Sequence, residues 1–163
     1  MRKWHAICLM DGMEADVIVK CPVLVVEDDA PFRRSLENFL DRAGYTFHSC
    51  TNTRDALMLA EAVRPGILIV EYHLSDGNGV TLLRNLMRIV PEAERILISE
   101  YDFQVVAPKL ADVPVGSFLK KPFDVVDLEC ALSGANSKGG KSSDTWEWKQ
   151  ELGSEGMPAS LLK

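Results

Sequence analysis

The chain predicts an α/β domain: five parallel strands in one sheet, with helices covering both faces. Three observations carry this. Short β-rich apolar runs alternate with segments of helical period from Pro22 onward. Gly and Pro punctuate the changes between them, at Gly44, Pro65 and Gly66 for example. Strands separated by helices need crossover connections, which make neighbouring strands parallel and bury both faces of the sheet.

The elements follow in order. Val23-Leu24-Val25-Val26 reads as the first strand. Pro31 suits the first turn of a helix, and Phe32, Leu36, Phe39 and Leu40 follow at helical spacing until Gly44. A second strand is predicted near Thr46 to Cys50, then a helix from Thr53 to Val63, closed by Pro65. Gly66 to Val70 forms the third strand, and Ser75-Asp76-Gly77-Asn78-Gly79 reads as a loop. The next helix carries Leu82, Leu83, Leu86, Met87 and Val90. Arg95 to Ser99 and Ser117 to Lys120 supply the last two strands, and a final helix is expected from Val125 to Leu132. Pro108 falls inside the fourth helical segment, where it removes a backbone donor and clashes with the preceding turn.

Composition narrows the function classes. The 163 residues are 47% hydrophobic with a formal net charge of −6, enough for one domain with a core. The acidic balance argues against nucleic acid, which is bound by a basic face. No apolar stretch approaches the roughly 20 residues that cross a bilayer, and Ala6 to Met10 is too short for a signal peptide. Cys8, Cys21, Cys50 and Cys130 are widely spaced, the usage of reduced thiols in a cytoplasmic protein. We expect residues 1–20 to be a flexible arm, with Met13 an alternative start. Residues 21–133 are expected to form the domain, and 134–163 a flexible polar tail carrying Trp146-Glu147-Trp148. No DNA-binding or other output module is legible after the domain.

The strand ends carry the chemistry. Glu27-Asp28-Asp29 follows the first strand, Glu71 ends the third, Ser99 ends the fourth, and Lys121 follows the fifth. Ligands of open α/β sheets sit at the carboxyl ends of strands, so these groups share one edge. Mg²⁺ prefers oxygen ligands and keeps several waters, so a few convergent carboxylates suffice. Two such carboxylates about 4 Å apart repel by roughly 4 kcal/mol at an effective dielectric of 20. A lysine, a metal ion or a bound proton must relieve that.

In Val-Leu-Val-Val-Glu-Asp-Asp, Leu-Ile-Val-Glu-Tyr-His-Leu-Ser-Asp-Gly-Asn-Gly, Ile-Leu-Ile-Ser-Glu and Phe-Leu-Lys-Lys-Pro-Phe, taken together and in this order, the chain resembles the receiver domain of bacterial response regulators, the CheY-like family. The resemblance covers about Pro22 to Leu132. It implies a flavodoxin-like, doubly wound single domain with strand order 2-1-3-4-5, a signalling rather than an enzymatic role, and a place in two-component phosphorelays. It also implies that Glu27, Asp28, the acid at position 71 and the backbone carbonyl of His73 surround Mg²⁺. Ser99 matches the switch hydroxyl, Lys121 the phosphate-pairing lysine before a cis proline, and Phe118 the aromatic switch without its hydroxyl. A histidine kinase or a downstream signalling protein would be the partner, and self-association into a homodimer is open.

Three departures from the family point the same way. The phosphoacceptor position holds Glu71 where receivers carry Asp, which advances the carboxylate by about 1.5 Å; a misplacement near 1 Å can cost about 100-fold in an in-line attack. Glu100 stands beside the switch serine, where receivers usually carry a small residue, and Pro108 interrupts the fourth helix. The expectation is a stand-alone, phosphorylation-independent pseudo-receiver holding Mg²⁺ weakly or not at all and acting through protein contacts. Glu71 would either imitate a phosphorylated acid by bonding Ser99 and Lys121, or pair with Lys121 in an inert platform. The first alternative is a working receiver that phosphorylates Glu71. The second is a metal-dependent phosphoryl enzyme, a Toprim-like nuclease or a haloacid dehalogenase-type phosphatase, which the spacing of Glu27-Asp28-Asp29 and Glu71-Tyr72-His73 disfavours.

Overall fold

The structure, a computed structural model, describes residues 20–137. Five strands form one parallel sheet: β1 (Val23–Val26), β2 (Phe47–Cys50), β3 (Ile67–Glu71), β6 (Glu94–Ser99) and β7 (Ser117–Lys120). Their order, β2-β1-β3-β6-β7, is the expected one once the strands are counted within this sheet. The chain switches direction of winding at β1, so the gap between the ends of β1 and β3 is the natural site for a ligand.

Strand alternation divides the core into two layers. Leu24, Val26, Leu68, Val70 and Leu97 face α2 (Thr53–Val63) and α3 (Gly79–Ile89), where Leu83 and Leu86 are fully buried. Val23, Val25, Ile67, Ile69, Ile96 and Ile98 face α1 (Ala30–Arg42) and α5 (Val125–Ser137), through Leu36, Leu40, Leu128 and Leu132. Three helices begin on the carboxyl edge of the sheet with side-chain caps. Asp29 accepts from Phe32 N, Asn52 from Asp55 N and Asn78 from Val80 N.

The structure departs from the sequence reading in two places. The expected loop at 75–79 is instead part of a small hairpin, β4 (His73–Leu74) against β5 (Gly77–Asn78), and Gly79 already belongs to α3. Asp76 at its tip accepts from both the N–H and the hydroxyl of Thr53, tying the hairpin to the start of α2. The last helix does not stop at Leu132; it continues through residues assigned to the tail, as far as Ser137. Extending an established helix costs little, and no proline intervenes to stop it.

The fourth helical segment is a single turn, α4 (Phe103–Val106), followed by a 3₁₀ turn from Ala107 to Leu110 that contains Pro108. This is the interruption that the proline predicts. The described cysteines, Cys21, Cys50 and Cys130, are all free thiols. No described helix is long and apolar enough to cross a membrane. Cys8, most of the N-terminal arm and Trp146-Glu147-Trp148 lie outside the described residues.

Candidate functional site

Strand ends converge as expected, and Lys121 stands at the centre. Its Nζ lies 2.8 Å from Glu27 Oε2 and 2.5 Å from Glu71 Oε2. Glu27 is 1% exposed and Glu71 4%, so both carboxylates are removed from water. The Lys121–Glu27 contact is a hydrogen bond. Glu71 Oε2 meets no donor along a hydrogen-bonding direction, so its contact with Lys121 is a close ion pair rather than a directed bond. The ammonium also lies 4.1 Å from the centre of the Phe32 ring, whose face favours a cation. The Lys121–Pro122 bond is cis, as the resemblance implies.

The remaining carboxylate oxygens are held by backbone. Glu27 Oε1 accepts from Asp29 N at 3.0 Å, and Glu71 Oε1 accepts from His73 N at 3.1 Å. Asp28, expected at a metal, accepts instead from Ser75 N at 2.7 Å. Glu100 and the capping residue Asp29 join the acids around a small cavity of about 120 Å³, with His73 and Tyr101 on its wall.

Burial pushes the Glu27 carboxyl above its ordinary value of 4.5; the hydrogen bonds from Lys121 and Asp29 N, and the Lys121 charge, oppose it only in part. For Lys121, burial alone would lower the pKa. Its contacts with Glu27 and Glu71 outweigh that and carry it above the ordinary 10.5. The two directions agree physically. One ammonium divided between two buried carboxylates stays charged, while Glu27 receives only part of its neutralisation.

Ser99 is fully buried but does not reach Glu71. Its hydroxyl oxygen accepts from Tyr101 N at 3.0 Å, and its carbonyl accepts from Lys121 N at 2.8 Å. No hydrogen bond joins Glu71 to Ser99 among those described, which removes half of the contact set that a phosphoryl mimic requires. Phe118 is absent from the cavity wall. Alternation along β7 sends its ring to the α4 side, edge-on to Phe103 at 5.3 Å between centroids.

Sequence reasoning placed Asp29 in the acidic triplet without a role, and missed Tyr101 and Phe32 as site residues. Asp29 was legible as a helix cap. The other two depend on where a loop and a helix place their rings. Tyr101 stands edge-on to the buried ring of Tyr72 at 5.8 Å, and Lys109 Nζ donates to the Tyr72 hydroxyl at 2.5 Å.

Mg²⁺ needs several oxygen lone pairs turned to one point. Here both oxygens of Glu27 and of Glu71 face Lys121 or a backbone N–H, and one oxygen of Asp28 faces a third N–H. No group of three His, Cys, Asp or Glu side chains is placed to hold a metal ion among the described residues. In this arrangement the side chains do not fit the ion.

A family model, the response regulator receiver domain, matches residues 23–133. The chain belongs to the response regulator receiver family. It is 30% identical over 112 residues to the photosynthetic apparatus regulatory protein RegA of Rhodovulum sulfidophilum, covering 68% of this chain and 60% of that protein. Identity to the chemotaxis protein CheY of Thermotoga maritima is 28% over 102 residues, 62% of this chain and 85% of CheY. The chain thus spans about three-fifths of the RegA protein it matches.

Among solved structures, a Burkholderia pseudomallei response regulator superposes with a TM-score of 0.67 at 25% identity, covering 82% of this chain and 74% of that one. That structure is described with a phosphorylated aspartic acid, a calcium ion and citrate. The receiver domain of an HD domain-containing protein from Pseudomonas fluorescens Pf-5 gives 0.67 at 26% identity, covering 72% and 94%. The fold is therefore the receiver fold, and the domain is a receiver, a signalling domain of two-component systems.

Proposed function

We propose that this receiver works without phosphorylation, as a fixed protein-binding platform. The observation that carries the reading is the buried Glu27–Lys121–Glu71 cluster, in which one ammonium serves both acids and Glu71 already occupies it. Both oxygens of Glu71 are engaged, one by Lys121 and one by His73 N, so neither is presented to an incoming phosphoryl donor. The acids lining the cavity, Glu27, Asp28, Asp29, Glu71 and Glu100, face a single lysine, and a phosphodonor is itself an anion. Because Ser99 is held by Tyr101 and not by Glu71, the platform reading is favoured over the phosphoryl mimic.

The output is contact with other proteins, a histidine kinase or a downstream signalling protein, in the cytoplasm. Nucleic acid and membrane are not partners in this reading, and Mg²⁺ is held weakly or not at all. Incubation with a small phosphodonor and Mg²⁺, followed by intact-mass measurement, tests it. The expected result is an unmodified wild-type protein. A phosphoryl adduct that disappears in Glu71→Gln would show instead a conventional receiver using Glu71 as its acceptor.

A further inference from the structure

A second opening lies away from the acids. It is a groove of about 660 Å³, bounded by Phe103, Ala107, Leu110, Val113, Val115 and Phe118. The short fourth helix leaves it there: after one turn of α4 the chain tightens into the Pro108-containing 3₁₀ turn and does not cover β7. Strand β7 is also an edge, paired only with β6. An apolar groove beside an unpaired strand edge is suited to an extended segment whose alternate side chains are large and apolar.

We propose that this groove is the docking site of the chain's own Trp146-Glu147-Trp148 segment, laid along β7. Tryptophans two positions apart project from the same face of an extended chain, so both indoles can enter one groove while Glu147 faces water. The reach is sufficient. Helix α5 starts beyond the carboxyl end of β7 and its 13 residues run back about 20 Å, antiparallel to the strand. Ser137 therefore stands toward the edge where Ser117, preceded by Gly116, begins β7, and these residues also border the groove. Residues 138–145 intervene, and eight residues span up to about 26–29 Å. That exceeds the ~13 Å length of four-residue β7 and the ~5 Å width of one strand to be rounded.

Docking there covers Phe118 and the α4 side of the domain, so the segment and any protein seeking that face exclude one another. The proposal does not rest on the phosphorylation state of Glu71. The experiment uses the full chain with Trp4→Phe, so that emission reports on Trp146 and Trp148 alone. Blue-shifted emission, protected from acrylamide relative to the same chain in urea, is expected, with the protection lost in Leu110→Glu.

Intramolecular docking acts at an effective concentration on the order of millimolar, so the protection should survive dilution. Emission and quenching matching the urea-unfolded chain would overturn the proposal. Protection that vanishes on dilution would also overturn it, assigning the groove to a second copy. Trp146→Ser with Trp148→Ser leaves every described residue in place and gives an independent readout. Amide resonances of Val113 to Phe118 should shift in that variant, and unchanged resonances would sink the idea.

Discussion

Replacing Lys121 by Met is expected to destabilise the domain by about 3–5 kcal/mol near neutral pH, the usual cost of removing one partner from a buried ion pair. The substitution keeps the packed stem and deletes only the ammonium. Glu27 and Glu71, 1% and 4% exposed, then face each other with no counter-ion. Their nearest oxygens lie 2.8 and 2.5 Å from one Nζ and so at most 5.3 Å apart, where like charges repel by roughly 3 kcal/mol or more at an effective dielectric of 20.

The pH dependence follows from the direction of the Glu27 shift. Its folded pKa already lies above 4.5, and removing Lys121 deletes two of the causes that hold it down. A group whose folded pKa is raised stabilises at low pH, and that stability is lost as pH rises through the folded value. The gap between wild type and Lys121→Met should therefore close as pH falls toward 4.5 and open fully above the folded pKa. In wild type, the Lys121 contribution is complete below 10.5 and is lost only as pH rises through its own raised value. Urea unfolding of both proteins across this range is the measurement. Adding Glu27→Gln and Glu71→Gln to Lys121→Met should restore most of the loss, since no buried charge then remains unpaired. A gap below about 1 kcal/mol, the size expected of an exposed pair, would contradict the account.

Gly79→Ala is the second substitution with a large expected effect. A Cβ at this position would stand 2.1 Å from the carbonyl oxygen of Glu71, 2.9 Å from its carbonyl carbon and 3.0 Å from Tyr72 Cα. All three are backbone atoms at the end of β3, so no side chain can swing aside. Gly79 N also donates to Tyr72 O at 2.8 Å, which ties the start of α3 to that strand. Relief requires moving either the helix or Glu71. We expect a loss near the top of the roughly 1–3 kcal/mol range for overpacking, with a disturbed Glu71–Lys121 pair.

Gly116→Ala provides the contrast. Its Cβ would meet the carboxylate of Glu94, the far end of a side chain rather than backbone. Its cost should be well below that of Gly79→Ala. Equal melting temperatures for Gly79→Ala and wild type would show that α3 does not press on the site as closely as described.

The fold was legible because long-range order here follows from local pattern. Each apolar run is either a buried strand or one face of a helix, and a parallel sheet brings every strand's carboxyl end to one edge. That put Glu27, Asp28, Glu71 and Lys121 around one cavity, with Ser99 at the end of the neighbouring strand β6 but off the cavity wall. Backbone position does not set side-chain direction, however. Asp28 turned to Ser75 N, Ser99 to Tyr101 N, and Phe118 to the α4 face.

The β4–β5 hairpin, with two residues per strand, is too short to show a period. The last turn of α5 runs through Ser133-Gly134-Ala135-Asn136, a composition that reads as the start of a tail. Pro108 was the clearest local signal outside the acid cluster. Its consequence, the groove beside β7, is a matter of what the shortened helix fails to cover.

The central claim of the proposal is that Glu71, by occupying Lys121, closes the pocket to a phosphoryl group. Titrating wild type and Glu71→Asp side by side with Mg²⁺ and beryllofluoride, and following the Ser99 and Lys121 amide resonances, tests it most directly. The account predicts saturable shifts in Glu71→Asp and none in wild type. Saturable binding by wild type equal to that of Glu71→Asp would contradict it.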